Sequence, residues 1–141
     1  MSDNPLILDT DVFSNRDFLE ELKTYHGEKI IPCLAYAELC VHYIFNKNKS
    51  AEEVRDFLRR FHITIENLDA RVVNNGVLCC QDANDFSKHS KDYLIGAHAY
   101  SNPRIMITNN LAHFQFLVDV GIRVYTSYQY REILEKRRKR R

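Results

Sequence analysis

The chain has 141 residues, 45% of them hydrophobic and 28% charged, with a formal net charge of +1. From Arg131 onward there are seven basic and two acidic residues, which leaves 13 basic and 17 acidic ones in an acidic body. The length suits one compact domain, no apolar run approaches the roughly 18–20 residues that cross a bilayer, and the opening MSDNPL lacks a leader pattern, so a soluble, cytoplasmic protein without membrane contact is expected.

In LILDTDVFS the apolar run Leu6-Ile7-Leu8 reads as a short buried strand that delivers Asp9 and Asp11 at its carboxyl end. SNRDFLEELKTYHG follows as a helix, with Ser14 and Asp17 as a capping pair, Phe18, Leu19 and Leu22 at helical spacing, and Gly27 as its end. KIIP is a second strand. CLAYAELCVHYIFNK is apolar nearly all round, the pattern of a buried helix. SAEEVRDFLRRFH is amphipathic: Ser50 and Glu53 form an S-x-x-E cap, and Val54, Phe57, Leu58 and Phe61 share one stripe.

Farther on, ITIENL alternates as a strand, DARVVNNGVLCC is a weaker helix interrupted at Gly76, and QDANDFSKHSK is polar and loop-like. DYLIGAHAY is an apolar helix opening on Asp92, and RIMITNN a buried strand. HFQFLVDVG is a short helix stopped at Gly121, IRVYTS a last strand, and YQYREILEKRRKRR a terminal helix that fades into charge. No repeat or linker divides the chain, so residues 1–135 read as one domain and 136–141 as a basic C-terminal tail. Strands alternating with helices predict an α/β fold, a three-layer sandwich with a mainly parallel central sheet flanked by helices. Cys33, Cys40, Cys79 and Cys80 make no CxxC and are expected as reduced core thiols, and the Cys79-Cys80 adjacency does not match structural zinc spacing.

In open parallel sheets a ligand site lies beyond the carboxyl ends of the strands. Asp9, Asp11 and Asn110, which closes IMITNN, fall there, and Asp92 opens the helix before that strand. Glu38 lies inside the most hydrophobic helix, where a carboxylate is costly to bury without compensation. Each residue has a plainer reading: Asp9 and Asp11 suit turns or caps, Glu38 suits an i+4 pair with His42, Asp92 suits an N-cap, and Asn110 suits a left-handed strand end. Carboxylates gathered at one rim repel and raise one another's pKa unless a cation neutralises them. Mg²⁺ and Mn²⁺ prefer such oxygen donors. Contacts to phosphates would then come from around the acidic cleft. Lys88 and Lys91 in the polar stretch, Arg104, and the run Lys136, Arg137, Arg138 to Arg141 are the candidates. His98 and His113 read as core or supporting residues.

Taken in order, LILDTDVFS, AYAELCVHYI, DYLIGAHAY and ITNNLAHF resemble the motifs of the PIN-domain nucleases, a family that includes the toxin halves of VapBC-type toxin–antitoxin pairs. The resemblance spans the whole chain. It implies a metal-dependent endoribonuclease that uses Mg²⁺ or Mn²⁺ and leaves a 3′-hydroxyl and a 5′-phosphate. It implies further that Asp9, Glu38 and Asp92 are the catalytic, metal-binding carboxylates. Asp11 would order the first motif or a water, and Thr108 would support the site by hydrogen bonding. Asn110 departs from the aspartate that many members carry, and an amide brings no charge, so one firmly held ion is expected rather than two. A homodimer and an antitoxin partner are also implied. Two other readings stay open: a PIN-like RNA- or protein-binding module with a weakened site, and a phosphatase or response-type α/β domain. The second leaves Glu38 and Asp92 poorly explained.

Overall fold

Five short parallel strands, β1 (Leu6–Leu8), β2 (Lys29–Pro32), β3 (Ile63–Glu66), β4 (Ile105–Ile107) and β5 (Arg123–Tyr125), form one sheet in the order β3-β2-β1-β4-β5. They belong to a computed structural model that describes residues 3–140. β1 lies at the centre, and Leu6, Ile7 and Leu8 are wholly buried, as a strand covered on both faces requires. Its register with β4 pairs Leu8 with Ile107. The residues that follow, Asp9 and Thr108, are therefore brought side by side at the carboxyl rim.

The helices are α1 (Arg16–Leu22), α2 (Cys33–Val41), α3 (Ala51–Arg60), α4 (Ala70–Cys79), α5 (Ala83–Gly96), α6 (Gln115–Asp119) and α7 (Ser127–Lys139). The chain moves along the sheet one way from β1 to β3 and the other way from β3 to β5. Right-handed crossovers therefore put the intervening helices on opposite faces. α1 packs against α7, α4 packs against α5, and the sheet lies between as the middle of three layers. Phe18, Leu22, Leu39, Leu58, Ile95, Phe114 and Leu117 close the core from the helices. Lys29 is buried in β2 and donates from Nζ to the carbonyl of Leu22, the last residue of α1, at 2.8 Å. A cation at a helix carboxyl end is favourable there. No helix among the described residues is long and apolar enough to cross a membrane.

Several local expectations change. α1 is capped by Asn15, which accepts from Phe18 N at 3.1 Å, because Ser14 turns back to donate to Asp11 O at 2.9 Å. The expected pair of Ser14 with Asp17 gives way to this arrangement, and α1 ends well before Gly27. The Ser50/Glu53 box forms as expected, and Thr126 and Gln129 form another at the start of α7. α2 continues into a wider π-type turn, His42–Asn46. Ala35 and Leu39 face the core, whereas Val41 and Phe45 are 57% and 76% exposed, so this segment is not buried all round. QDANDFSKHSK is mostly helix rather than loop. Asp82 caps α5 by accepting from Asp85 N at 2.8 Å, and α5 runs on to Gly96 with non-helical backbone angles only at His89. Asp92 therefore sits inside α5, three residues after this kink, instead of opening a helix. Lys136 to Lys139 form the last turn of α7, and Arg141 lies outside the described residues.

Candidate active site

Asp9 is the first residue after β1, and its N–H donates to Ile107 O at 3.0 Å, extending the β1–β4 ladder by one step. It also caps the 3-10 turn Thr10–Ser14, its Oδ1 accepting from Thr10 N at 2.8 Å. Its Oδ2 accepts from the hydroxyl of Thr108 at 2.8 Å, and that buried hydroxyl in turn accepts from Asn110 N at 3.1 Å. Both carboxylate oxygens are thus aimed. Asp11 is tied to the same rim: its Oδ1 accepts from Asn109 N at 3.0 Å, and its carbonyl accepts from Asn109 Nδ2 at 3.3 Å.

Glu38 reaches this rim from α2. The Thr10 hydroxyl stands 3.0 Å from Ala35 O and 3.3 Å from Glu38 Oε1, which links the first motif to the second. Lys91 on α5 donates from Nζ to Glu38 Oε2 at 2.9 Å. Its neighbour Asp92 places Oδ2 3.3 Å from His113 Nδ1, and that nitrogen is 3.0 Å from Asn110 Nδ2. Asn110 therefore meets the site through His113 and through its own backbone N–H.

Burial pushes the Asp9 carboxyl up to about 6, with Asp11 adding to the rise and Glu38 contributing less, while the bonds from Thr108 and Thr10 pull it down. Asp11 is raised chiefly by burial, and Glu38 adds to it. Two carboxyls that resist ionisation because they are buried, and further because they share the rim with Glu38, are short of positive charge. The donors are all oxygens, which fits a hard dication in chemistry. As the side chains stand, however, no three His, Cys, Asp or Glu groups among the described residues come close enough to hold a metal. Glu38 is turned to Lys91 and Asp92 to His113.

The candidate phosphate-binding cations are scattered. Lys88 and Lys91 lie on α5, on either side of the kink at His89. Arg104 sits before the amino end of β4 and is engaged elsewhere. It donates to both oxygens of Glu66 and to His98 O, each at 2.8 Å. Glu66, held below the usual carboxylate range first by that arginine, also sits 2.7 Å from Nδ1 of the buried His98. Arg137 and Arg138 pair with Asp3 and Glu21 at 3.3 and 2.8 Å. α7 begins at the rim, where Ser127 N donates to Asn109 Oδ1 at 2.9 Å, and runs back about 20 Å to the amino ends of the strands. Its basic last turn is at the pole opposite Asp9.

Asn109 and Thr10 are the site residues that sequence reasoning passed over. Asn109 binds Asp11, Ser127 N and, at 2.7 Å, the Ser127 hydroxyl, fastening the first motif to α7. The only signal was the doubled amide in ITNN. All four cysteines are free thiols, but they are half-buried rather than inside the core.

The fold is a PIN-like α/β sandwich. No protein-family model matches the chain, and none of the curated proteins does. Solved structures do match it. The structure of VapBC-1 from nontypeable Haemophilus influenzae is 18% identical, covers 88% of this chain and 98% of its own, and has a TM-score of 0.63. A toxin–antitoxin complex from Klebsiella pneumoniae is 17% identical over 77% of this chain and 89% of its own, at 0.59. DNA-bound VapBC from Salmonella typhimurium is 20% identical over 89% and 99%, at 0.57. At these identities the likeness is one of fold.

Proposed function

We propose that this protein is an endoribonuclease that hydrolyses RNA phosphodiester bonds with Mg²⁺ or Mn²⁺ and acts as the toxin of a toxin–antitoxin pair. The observation that carries this reading is the Asp9 carboxyl. It lies beyond the central parallel strand and is aimed by Thr10 and Thr108, yet it is pushed up to about 6 by burial and by Asp11 and Glu38. Such a pocket gains by taking up a dication. When bound, the ion supplies Lewis-acid polarisation of the phosphate and offsets the charge that develops on it.

Asp9 and Asp92 serve as its primary ligands in this reading. Glu38 is a third ligand or orients the attacking water. Thr108 fixes one Asp9 oxygen, Asn109 fixes Asp11, and Asn110 contributes a neutral amide beside His113. Lys88 and Lys91 are the cations on α5 nearest Asp92 in the chain and are suited to backbone phosphates. The fold shared with toxin–antitoxin complexes supports an antitoxin partner, and the exposed Val41 and Phe45 offer apolar surface to it or to a second copy of the chain.

Incubation of the purified chain with a mixed RNA pool, with Mn²⁺ or with EDTA, tests the reading. Fragments are expected only with Mn²⁺, and Asp9→Asn should slow their appearance by about 100-fold or more, since a metal's contribution is several kcal/mol. Equal cleavage by Asp9→Asn would falsify the assignment. A second reading, an RNA-binding PIN-like module that no longer cuts, is favoured by the uncharged Asn110 and the absence of a closed three-donor cluster among the described residues. RNA retained intact with Mn²⁺ present selects it.

A further inference from the structure

The geometry points to Lys91 as the resident counter-cation of the carboxylate pocket, a positioning residue whose ammonium holds Glu38 in place until a dication replaces it. This rests on the metal-dependent reading above and concerns how the same site is loaded.

Three observations support it. The Nζ–Oε2 bond of 2.9 Å spans two elements 53 residues apart in sequence, α5 and α2. The surface pairs Lys23–Glu20, Lys49–Glu53, Arg59–Asp56 and Lys139–Glu135 are local i,i+3 or i,i+4 contacts, and the other long-range pairs of exposed cations, Arg137–Asp3 and Arg138–Glu21, lie at the opposite pole. The Lys91 ammonium is held against one of the three proposed ligands. It is adjacent in sequence to Asp92 and two residues past the kink at His89. Finally, its bond is exchangeable: Lys91 and Glu38 side chains are 61% and 36% exposed, in a regime where ion pairs are weak. The Arg104–Glu66 pair, with two parallel bonds and side chains only 22% and 26% exposed, is built to stay closed. Lys91 thus engages one carboxylate of the cluster with a cation that the chain itself supplies.

A competitor that occupies a ligand weakens the incoming ion, so its removal tightens binding. The test is a titration of metal-stripped protein with Mn²⁺ at low ionic strength, following free Mn²⁺ by electron paramagnetic resonance, with no RNA present. Lys91→Met and Lys91→Gln are expected to bind Mn²⁺ about fivefold more tightly than the wild type, the size of a weak exposed pair. Lys91→Arg should stay within about twofold of the wild type by restoring the cation. In a Glu38→Gln background the gain from Lys91→Met should vanish. Unchanged or weaker binding in Lys91→Met overturns the inference, as does an equal gain in both backgrounds, which marks a general field effect. If the wild type binds Mn²⁺ and loses it in Asp9→Asn, only the role of Lys91 is then at stake. If the wild type binds none, the metal-dependent reading fails as well.

Discussion

The Asp9 carboxylate receives hydrogen bonds on both oxygens and is still short of positive charge, because burial and Asp11 outweigh the Thr108 and Thr10 donors. That imbalance has a measurable sign. The folded pKa of about 6 lies above the ordinary 3.8, so the folded state holds this proton more tightly than the unfolded one. The resulting stabilisation is full below about 3.8 and is lost as pH rises through about 6. In EDTA, urea unfolding is expected to give about 1 kcal/mol less stability at pH 7.5 than at pH 5 from this group alone, and Asp9→Asn should flatten the difference. A slope of the opposite sign across that window, unaltered in Asp9→Asn, would mean that Asp9 is not the strained group. Asp9, Asp11, Glu38 and Asp92 stand out in the sequence as charges against apolar runs, whereas Thr108 comes only with the family resemblance. Arg104 was legible as a cation but not as a partner of Glu66, since that pairing is made by the tertiary fold. Asn109 was hidden because an amide beside an amide carries no pattern of its own.

At the scale of elements, α4 and α5 show where pattern reading fails and why. Gly76 looks like a helix breaker, yet α4 runs straight through it. A Cβ there would stand 2.9 Å from Tyr93 O and 3.2 Å from the Ala97 Cβ, so the glycine lets the two helices touch. Gly76→Ala gains roughly 1 kcal/mol of helix propensity but over-packs against a backbone carbonyl at a cost of about 1–3 kcal/mol. A net loss of up to about 2 kcal/mol in chemical denaturation is expected, with Gly76→Val worse. Stabilisation by Gly76→Ala would show that the α4–α5 contact is looser than this. The first half of α5 was unreadable for a related reason. Its residues are mostly polar because that half is largely exposed, and its start rests on the cap at Asp82 and the bond of Tyr93 OH to Asp85 at 2.5 Å. By contrast, β1, β2, β4 and the Ser50-capped α3 were legible because apolar runs and caps are local signals.

For the whole molecule, the parallel order β3-β2-β1-β4-β5 sets the chemistry, since it gathers the ends of β1 and β4 at one rim and sends α7 to the other pole. The charge asymmetry seen in the sequence is thereby made spatial: carboxylates lie at the carboxyl rim, and the basic last turn of α7 lies beside Asp3 and Glu21. In the proposed reading, an RNA strand in the cleft would be met by α5 cations and not by the C-terminal ones. Everything functional turns on whether the carboxylates of Asp9, Glu38 and Asp92 close on one ion. The most direct measurement is the anomalous difference density of a crystal soaked in Mn²⁺. The expected result is one strong peak within about 2.5 Å of Asp9 and Asp92 oxygens, with Lys91 swung off Glu38. A peak elsewhere with the rim empty, or no peak at millimolar Mn²⁺, would contradict it.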